Sequence, residues 1–137
     1  MTRREALLGA VLPLLQAASV RTAPAQERQA ANGPVFEHDL PNITLDGWQV
    51  TASIINLAPG SGGNPHRHPG FVLVYVLEGE VVTKISDQQQ ATYSAGQMFY
   101  EQPGSTHEVS RNASATKPAK FLAMIFAKKG LPLVTPA

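Results

Sequence analysis

His66 and His68 stand two residues apart in Asn64-Pro65-His66-Arg67-His68-Pro69-Gly70, and a third histidine, His107, follows Pro103-Gly104 at the start of a later β-rich run. On an extended segment, residues i and i+2 project from the same face, so two imidazoles at this spacing can share one cation. Bonds of about 2.0–2.1 Å from ring nitrogen to metal set how closely they must converge. His107 is the candidate third ligand, reaching the same point from across the fold. Alone, an H-x-H pair fits surface or hydrogen-bonded histidines equally well. The sequence contains no cysteine, which excludes thiolate metal sites and cysteine nucleophiles.

Ligands so far apart in sequence need a closed β architecture to bring them together, and the chain reads as one. Short β-rich runs cover 35–39, 49–57, 71–77, 80–86, 91–93, 97–101, 107–111 and 121–127. Turn residues separate them, at Pro41-Asn42, Asp46-Gly47, Ala58-Pro59-Gly60, Pro69-Gly70, Glu78-Gly79, Asp87-Gln88, Ser94-Ala95-Gly96 and Pro103-Gly104. Many short strands at this spacing, with no helical period between them, predict an all-β sandwich or barrel.

Ahead of these runs, Arg3-Arg4 precedes an apolar stretch from Ala6 to Val20 interrupted by Gly9, Pro13 and Gln16, and Ala23-Pro24-Ala25 supplies a small-x-small site. The pattern is that of a signal peptide, residues 1–25, with cleavage before Gln26; the stretch is too short and interrupted for a membrane span. The paired arginines fit the Tat route, which carries folded proteins, although Glu5 departs from the strongest form of that motif. A polar leader over 26–34, a barrel over 35–130 and a tail over 131–137 complete the expected organisation. The expected location is secreted or periplasmic.

The whole chain has eleven Lys plus Arg against ten Asp plus Glu. Without residues 1–25 the count is eight against nine, so the slight basicity belongs to the signal peptide. A near-neutral domain without a basic cluster points to no nucleic-acid partner and, after processing, no membrane partner.

The run from Gly60 to Gly79 resembles the first motif of the cupin superfamily, G-x5-H-x-H-x3-E-x6-G, with His66 and His68 at its histidines. Gly96 to Asn112 resembles the second motif, G-x5-P-x-G-x2-H-x3-N, with His107 at its histidine. The resemblance implies a small double-stranded β-helix, a jelly-roll-like barrel, with one metal ion on His66, His68 and His107. It also implies a homodimer, since small cupins often pair through outer strands. Three positions depart from the pattern: Val72 stands where the first motif has its metal-binding glutamate, Gln102 replaces a proline, and Asn112 comes one residue late.

With Val72 in that place, the expected centre is three neutral imidazoles. That set favours Cu(II), with Fe(II) or Zn(II) as alternatives, over hard ions that prefer carboxylate oxygen. Val74, Val76, Met98 or Phe99, Met124 and Phe126 are candidates for an apolar interior beside it. Tyr100 and Gln102 are candidate hydrogen-bond donors at the open face; Glu101 cannot be assigned to a face from sequence. Trp48 and Tyr75 read as packing residues, and His38, Glu78, Glu80 and Glu108 read as surface residues.

The resulting expectation is an exported mononuclear oxidoreductase acting on an extracellular substrate, either plant polysaccharide such as cellulose or a small phenolic. A non-redox isomerase or lyase on a small sugar or keto acid, and a non-enzymatic metal-binding or small-ligand-binding module, are the competing readings.

Overall fold

The computed structural model describes residues 32–137; the expected signal peptide and most of the leader lie outside the described residues. Ten strands form without a helix among them: β1 (Trp48–Leu57), β2 (Gly62–Gly63), β3 (His66–Arg67), β4 (Phe71–Glu78), β5 (Glu80–Ile85), β6 (Ala91–Ser94), β7 (Met98–Glu101), β8 (Thr106–Asn112), β9 (Ala119–Lys128) and β10 (Thr135–Pro136). They make two antiparallel sheets. One has the order β1-β9-β4-β7; the other runs β10-β3-β8-β5-β6, with β2 also pairing to β8.

The strands follow from alternation of side chains across the sheet. In β4 the inward set is Val72, Val74 and Val76, all fully buried; in β9 it is Phe121, Ala123, Ile125 and Ala127. These pack with Val81, Ile85, Phe99 and Ala119 into one core between the sheets. Each large apolar side chain so buried stabilises the fold by roughly 1.5–3 kcal/mol. β-branched residues dominate β4 because two substituents on Cβ suit a pleated, packed surface.

Glycine is required at two joints. Gly79 turns β4 into β5 with φ 69°, a left-handed conformation that side chains resist. Gly70 stands between the His66-x-His68 segment and β4, and a Cβ there would lie 1.9 Å from the Phe126 carbonyl oxygen. The ligand segment can cross this close to β9 only because residue 70 has no side chain.

The expected strand over Val35–Asp39 does not form; the segment is irregular and mostly exposed, and the Phe36 ring stacks over His38. A segment without a neighbouring strand to pair with has no ladder to join. At the other end, residues expected as a tail take part in the fold. Thr135 and Pro136 pair with Arg67 and His66, which adds an edge strand against the ligand segment.

Candidate metal centre

His66 lies on β3 and His107 on β8, and the two are register partners across the antiparallel pair. His68 follows β3 on the same face. The ring centroids of His66 lie 4.9 Å from His68 and 5.0 Å from His107. One nitrogen from each of the three rings lies within 4.8 Å of the others. The sequence places His107 here with the help of a bulge: opposite Lys84 and Ile85 the register of β8 slips by one residue. Bulges re-aim side chains next to functional sites. His107 and Ser110, three apart, thereby both face inward, while Glu108 turns outward to pair with Lys84.

Each ring is held at its second nitrogen. His66 Nδ1 donates to the Asn64 carbonyl at 2.8 Å, and His68 Nδ1 donates to the Leu133 carbonyl at 2.7 Å. His107 Nε2 is 2.6 Å from Thr83 Oγ1. A carbonyl can only accept, so Nδ1 of His66 and His68 carries the proton and Nε2 carries the lone pair a metal needs. An outer partner that fixes tautomer and ring orientation is the usual companion of a metal-bound imidazole. Burial lowers the His66 pKa below its ordinary 6.5, helped by His107 and His68 and opposed by the Asn64 carbonyl and Glu101. A lowered pKa keeps that ring neutral and available as a ligand. The donor set therefore fits a single transition-metal ion on His66, His68 and His107.

A carboxylate is also present. Glu101, on β7, is 4% exposed. Its Oε1 lies 3.1 Å from His107 Nδ1 and its Oε2 lies 3.7 Å from His68 Nε2. The three histidines converge as expected, and Glu101, which the sequence left unassigned to a face, stands beside them. Residue 101 is the register partner of residue 72 on the neighbouring strand, so the acidic group comes from β7 where the motif would supply it from β4.

The same alternation takes Tyr100 and Gln102 away from the site. Both flank Glu101, so both face outward. The Tyr100 ring packs on His38 and Phe71, with centroids 4.1 Å and 6.0 Å away, and burial raises its pKa. Gln102 is exposed and accepts from Gln88 Nε2 at 3.0 Å. Val72 and Val74 face the site, Val76 and Phe99 belong to the core, and Met124 and Phe126 lie on the opposite face of β9. Trp48 packs against Phe71. Glu78 pairs with Lys120 at the surface, and Glu80 accepts from Ser94 Oγ.

The three histidines and Glu101 open onto a cavity of about 320 Å³ between the sheets. Val72, Val74, Phe121, Ala123 and Ile125 form its inner wall, and Ile55, Leu57, Leu133 and Val134 complete its apolar lining. Ser53 and Ser110 are its hydroxyl groups. No lysine or arginine lines it among the described residues.

Fold and site define a metal-binding cupin. The cupin domain family matches residues 53–125, from within β1 to within β9, and the chain belongs to that family. Comparison with curated proteins gives no match.

Among solved structures, the chain is similar to a conserved double-stranded β-helix protein from Klebsiella pneumoniae subsp. pneumoniae MGH 78578. Identity is 20% over 64% of this chain and 74% of that one, with a TM-score of 0.54. It is also similar to the DMSP lyase DddQ of Ruegeria pomeroyi DSS-3, at 16% identity over 64% of this chain and 43% of the lyase, with a TM-score of 0.56. A third is the oxalate decarboxylase of Bacillus subtilis, with its Mn(II) centres, at 18% identity over 64% of this chain and 23% of that one, with a TM-score of 0.55. The chain spans less than half the length of either enzyme, and at these identities the likeness is one of fold.

Proposed function

We propose that the chain is an exported mononuclear metal oxidoreductase acting on a small, largely apolar molecule, with a phenolic as the substrate class. The observation that carries this reading is the cavity. Metal-ligating side chains open onto a partly open cavity of about 320 Å³ whose wall is mostly valine, isoleucine, leucine and phenylalanine. That volume lies at the lower end of small-molecule sites and suits a substituted aromatic ring. A polysaccharide strand calls for an exposed groove with aromatic platforms, and the ligands here face inward, so the phenolic reading has the better support.

Three imidazoles and the order of divalent affinities favour copper; the Glu101 carboxylate brings iron and manganese within reach of the same site. When bound, the ion supplies the electron transfer and the open coordination position that side chains lack. The chain's own residues hold it through His66, His68 and His107 and orient those rings through Asn64, Thr83 and Leu133. The wall from Val72 to Ile125 limits water near the reacting molecule.

Glu101 also gives support to a second reading, a metal-assisted lyase or isomerase that needs a carboxylate base. Anaerobic assay separates the two. The protein is purified without a metal-affinity tag, loaded with Cu(II), Fe(II) or Mn(II), and incubated with substituted phenols, small sugars and keto acids, each with and without dioxygen or peroxide. Oxidant-dependent product formation supports the oxidoreductase. Turnover that persists without oxidant on a sugar or keto acid supports the lyase or isomerase, and tight metal binding with no turnover on any substrate supports a binding module.

The reading includes a homodimer. Its support is the outer face of the four-stranded sheet, where Val50 and Ile54 are 54% and 52% exposed beside Phe126 and Leu122, their register partners on β9. Light scattering that gives a single-chain mass at all concentrations would count against it.

A further inference from the structure

We infer that Glu101 is the fourth protein ligand of the metal centre, taking over across the strand pair the role that Val72 cannot fill. The inference rests on the metal-site reading above and adds a donor to it.

Three observations carry it. First, Val72 and Glu101 are directly opposed in the antiparallel pair of β4 and β7. Opposed residues have Cβ atoms about 4.5–5.5 Å apart and project from the same face, so a carboxylate arm from either position reaches the same region. Both side chains line the same cavity. Second, the Glu101 oxygens lie against nitrogens that the outer hydrogen bonds leave for a metal. Oε1 is 3.1 Å from His107 Nδ1, whose Nε2 is taken by Thr83, and Oε2 is 3.7 Å from His68 Nε2, whose Nδ1 is taken by Leu133. Two donors bound at about 2.1 Å in adjacent positions of one ion stand about 3.0–3.4 Å apart; the 3.1 Å separation from His107 matches that, and the 3.7 Å separation from His68 is a few tenths of an ångström longer. Third, Glu101 is 4% exposed and its only ion-pair partners among the described residues are the two histidines. A carboxylate buried at this depth is costly without a cation to face, and the ion supplies one.

The consequence is a centre of three nitrogens and one oxygen, with one unit of the metal's charge neutralised by the protein. The Val72 side of the ion is left apolar and faces the cavity.

The test uses the full chain and Cu(II) as probe. Glu101→Gln keeps the size and hydrogen-bonding capacity of the side chain, and Val72→Glu/Glu101→Val moves the carboxylate back across the pair. Affinity is measured by competition with a chelator, the donor set by spin resonance of the Cu(II) form, and folding by circular dichroism of the metal-free proteins. The expected result is that Glu101→Gln folds, binds copper more than about 100-fold more weakly, beyond the 10–100-fold typical of a lost orienting partner, and shows a changed spectrum. The exchanged pair regains affinity to within about tenfold of the starting protein, on the same scale.

Unchanged affinity and spectrum in Glu101→Gln overturn the inference. So does weaker binding with an unchanged spectrum, which makes Glu101 a positioning residue for His107. A starting protein that binds no copper, iron or manganese fails the metal-site reading itself, and the inference with it. If Glu101→Gln does not fold, Glu101→Asp and the exchanged pair carry the same comparison.

Discussion

Val72 and Glu101 face each other across β4 and β7, one a fully buried valine and the other a buried carboxylate, and both side chains line the cavity that the three histidines enter. The pair explains how a chain without the first-motif glutamate retains an acidic group at its centre. If Glu101 is a ligand as inferred above, a divalent ion there would meet one formal negative charge from the protein, and hard and borderline ions would compete on more equal terms.

The outer anchors of the rings are expected to govern affinity without governing the fold. Thr83→Val removes the oxygen at His107 Nε2, and deletion of residues 131–137 removes both the Leu133 carbonyl that accepts from His68 and the β10 pairing to the ligand segment. Each change is expected to weaken metal binding by about 10–100-fold, while the far-ultraviolet circular dichroism of a β protein is retained. Titration with metal in the presence of a competing chelator measures it. Equal affinity in all three proteins would show that the rings need no such support.

Asn112 is expected to matter for stability alone. Its Nδ2 lies within hydrogen-bonding distance of the carbonyls of Leu57, Ala58 and Lys117, and its Oδ1 accepts from the Ser114 N–H. It is buried and ties the end of β8 to the end of β1 and to the loop before β9. Asn112→Leu leaves those partners without the side chain and is expected to cost about 2–4 kcal/mol, from one to three kcal/mol per buried group left unsatisfied. Urea unfolding of the metal-free protein reads this directly, and a loss under about 1 kcal/mol would contradict it.

The pH dependence of the metal-free protein follows from His66, whose pKa burial holds below 6.5 in the folded state. Between the folded value and 6.5 the unfolded chain binds more protons than the folded one, so stability rises with pH through that window. The contribution is fully present above 6.5 and is lost as pH falls through the folded value. Denaturation at roughly half-unit steps from pH 5 to 7.5 is expected to show this slope, and His66→Gln is expected to flatten it. A His66→Gln profile parallel to that of the starting protein would contradict the assignment.

The sequence carries much of this arrangement in plain view. The alternation in Phe71 to Glu78, the β-branched content of the strands and the glycine and proline turns specify an all-β barrel, and strand-end histidines two apart mark the ligand face. Two features depend on what the chain does not encode locally. Val35–Asp39 has strand-forming residues and no partner strand, so its propensity goes unused. Glu101 could be placed only by phase: once Phe99 is known to be core, residue 101 must share its face and residues 100 and 102 must not. Without the register of β7 against β4, the neighbours Tyr100 and Gln102 look equally suitable. The role of residues 133–136 depends on contacts between segments more than sixty residues apart, which no local pattern announces.

The most direct test of the metal centre is elemental analysis of the protein purified without a metal-affinity tag, paired with spin resonance of its copper-loaded form. The expected result is one ion per chain, a Cu(II) spectrum with nitrogen couplings from imidazole, and loss of both in His107→Ala with the fold retained. A starting protein that takes up none of copper, iron, manganese or zinc, or a His107→Ala variant that binds the ion as tightly as before, would contradict it.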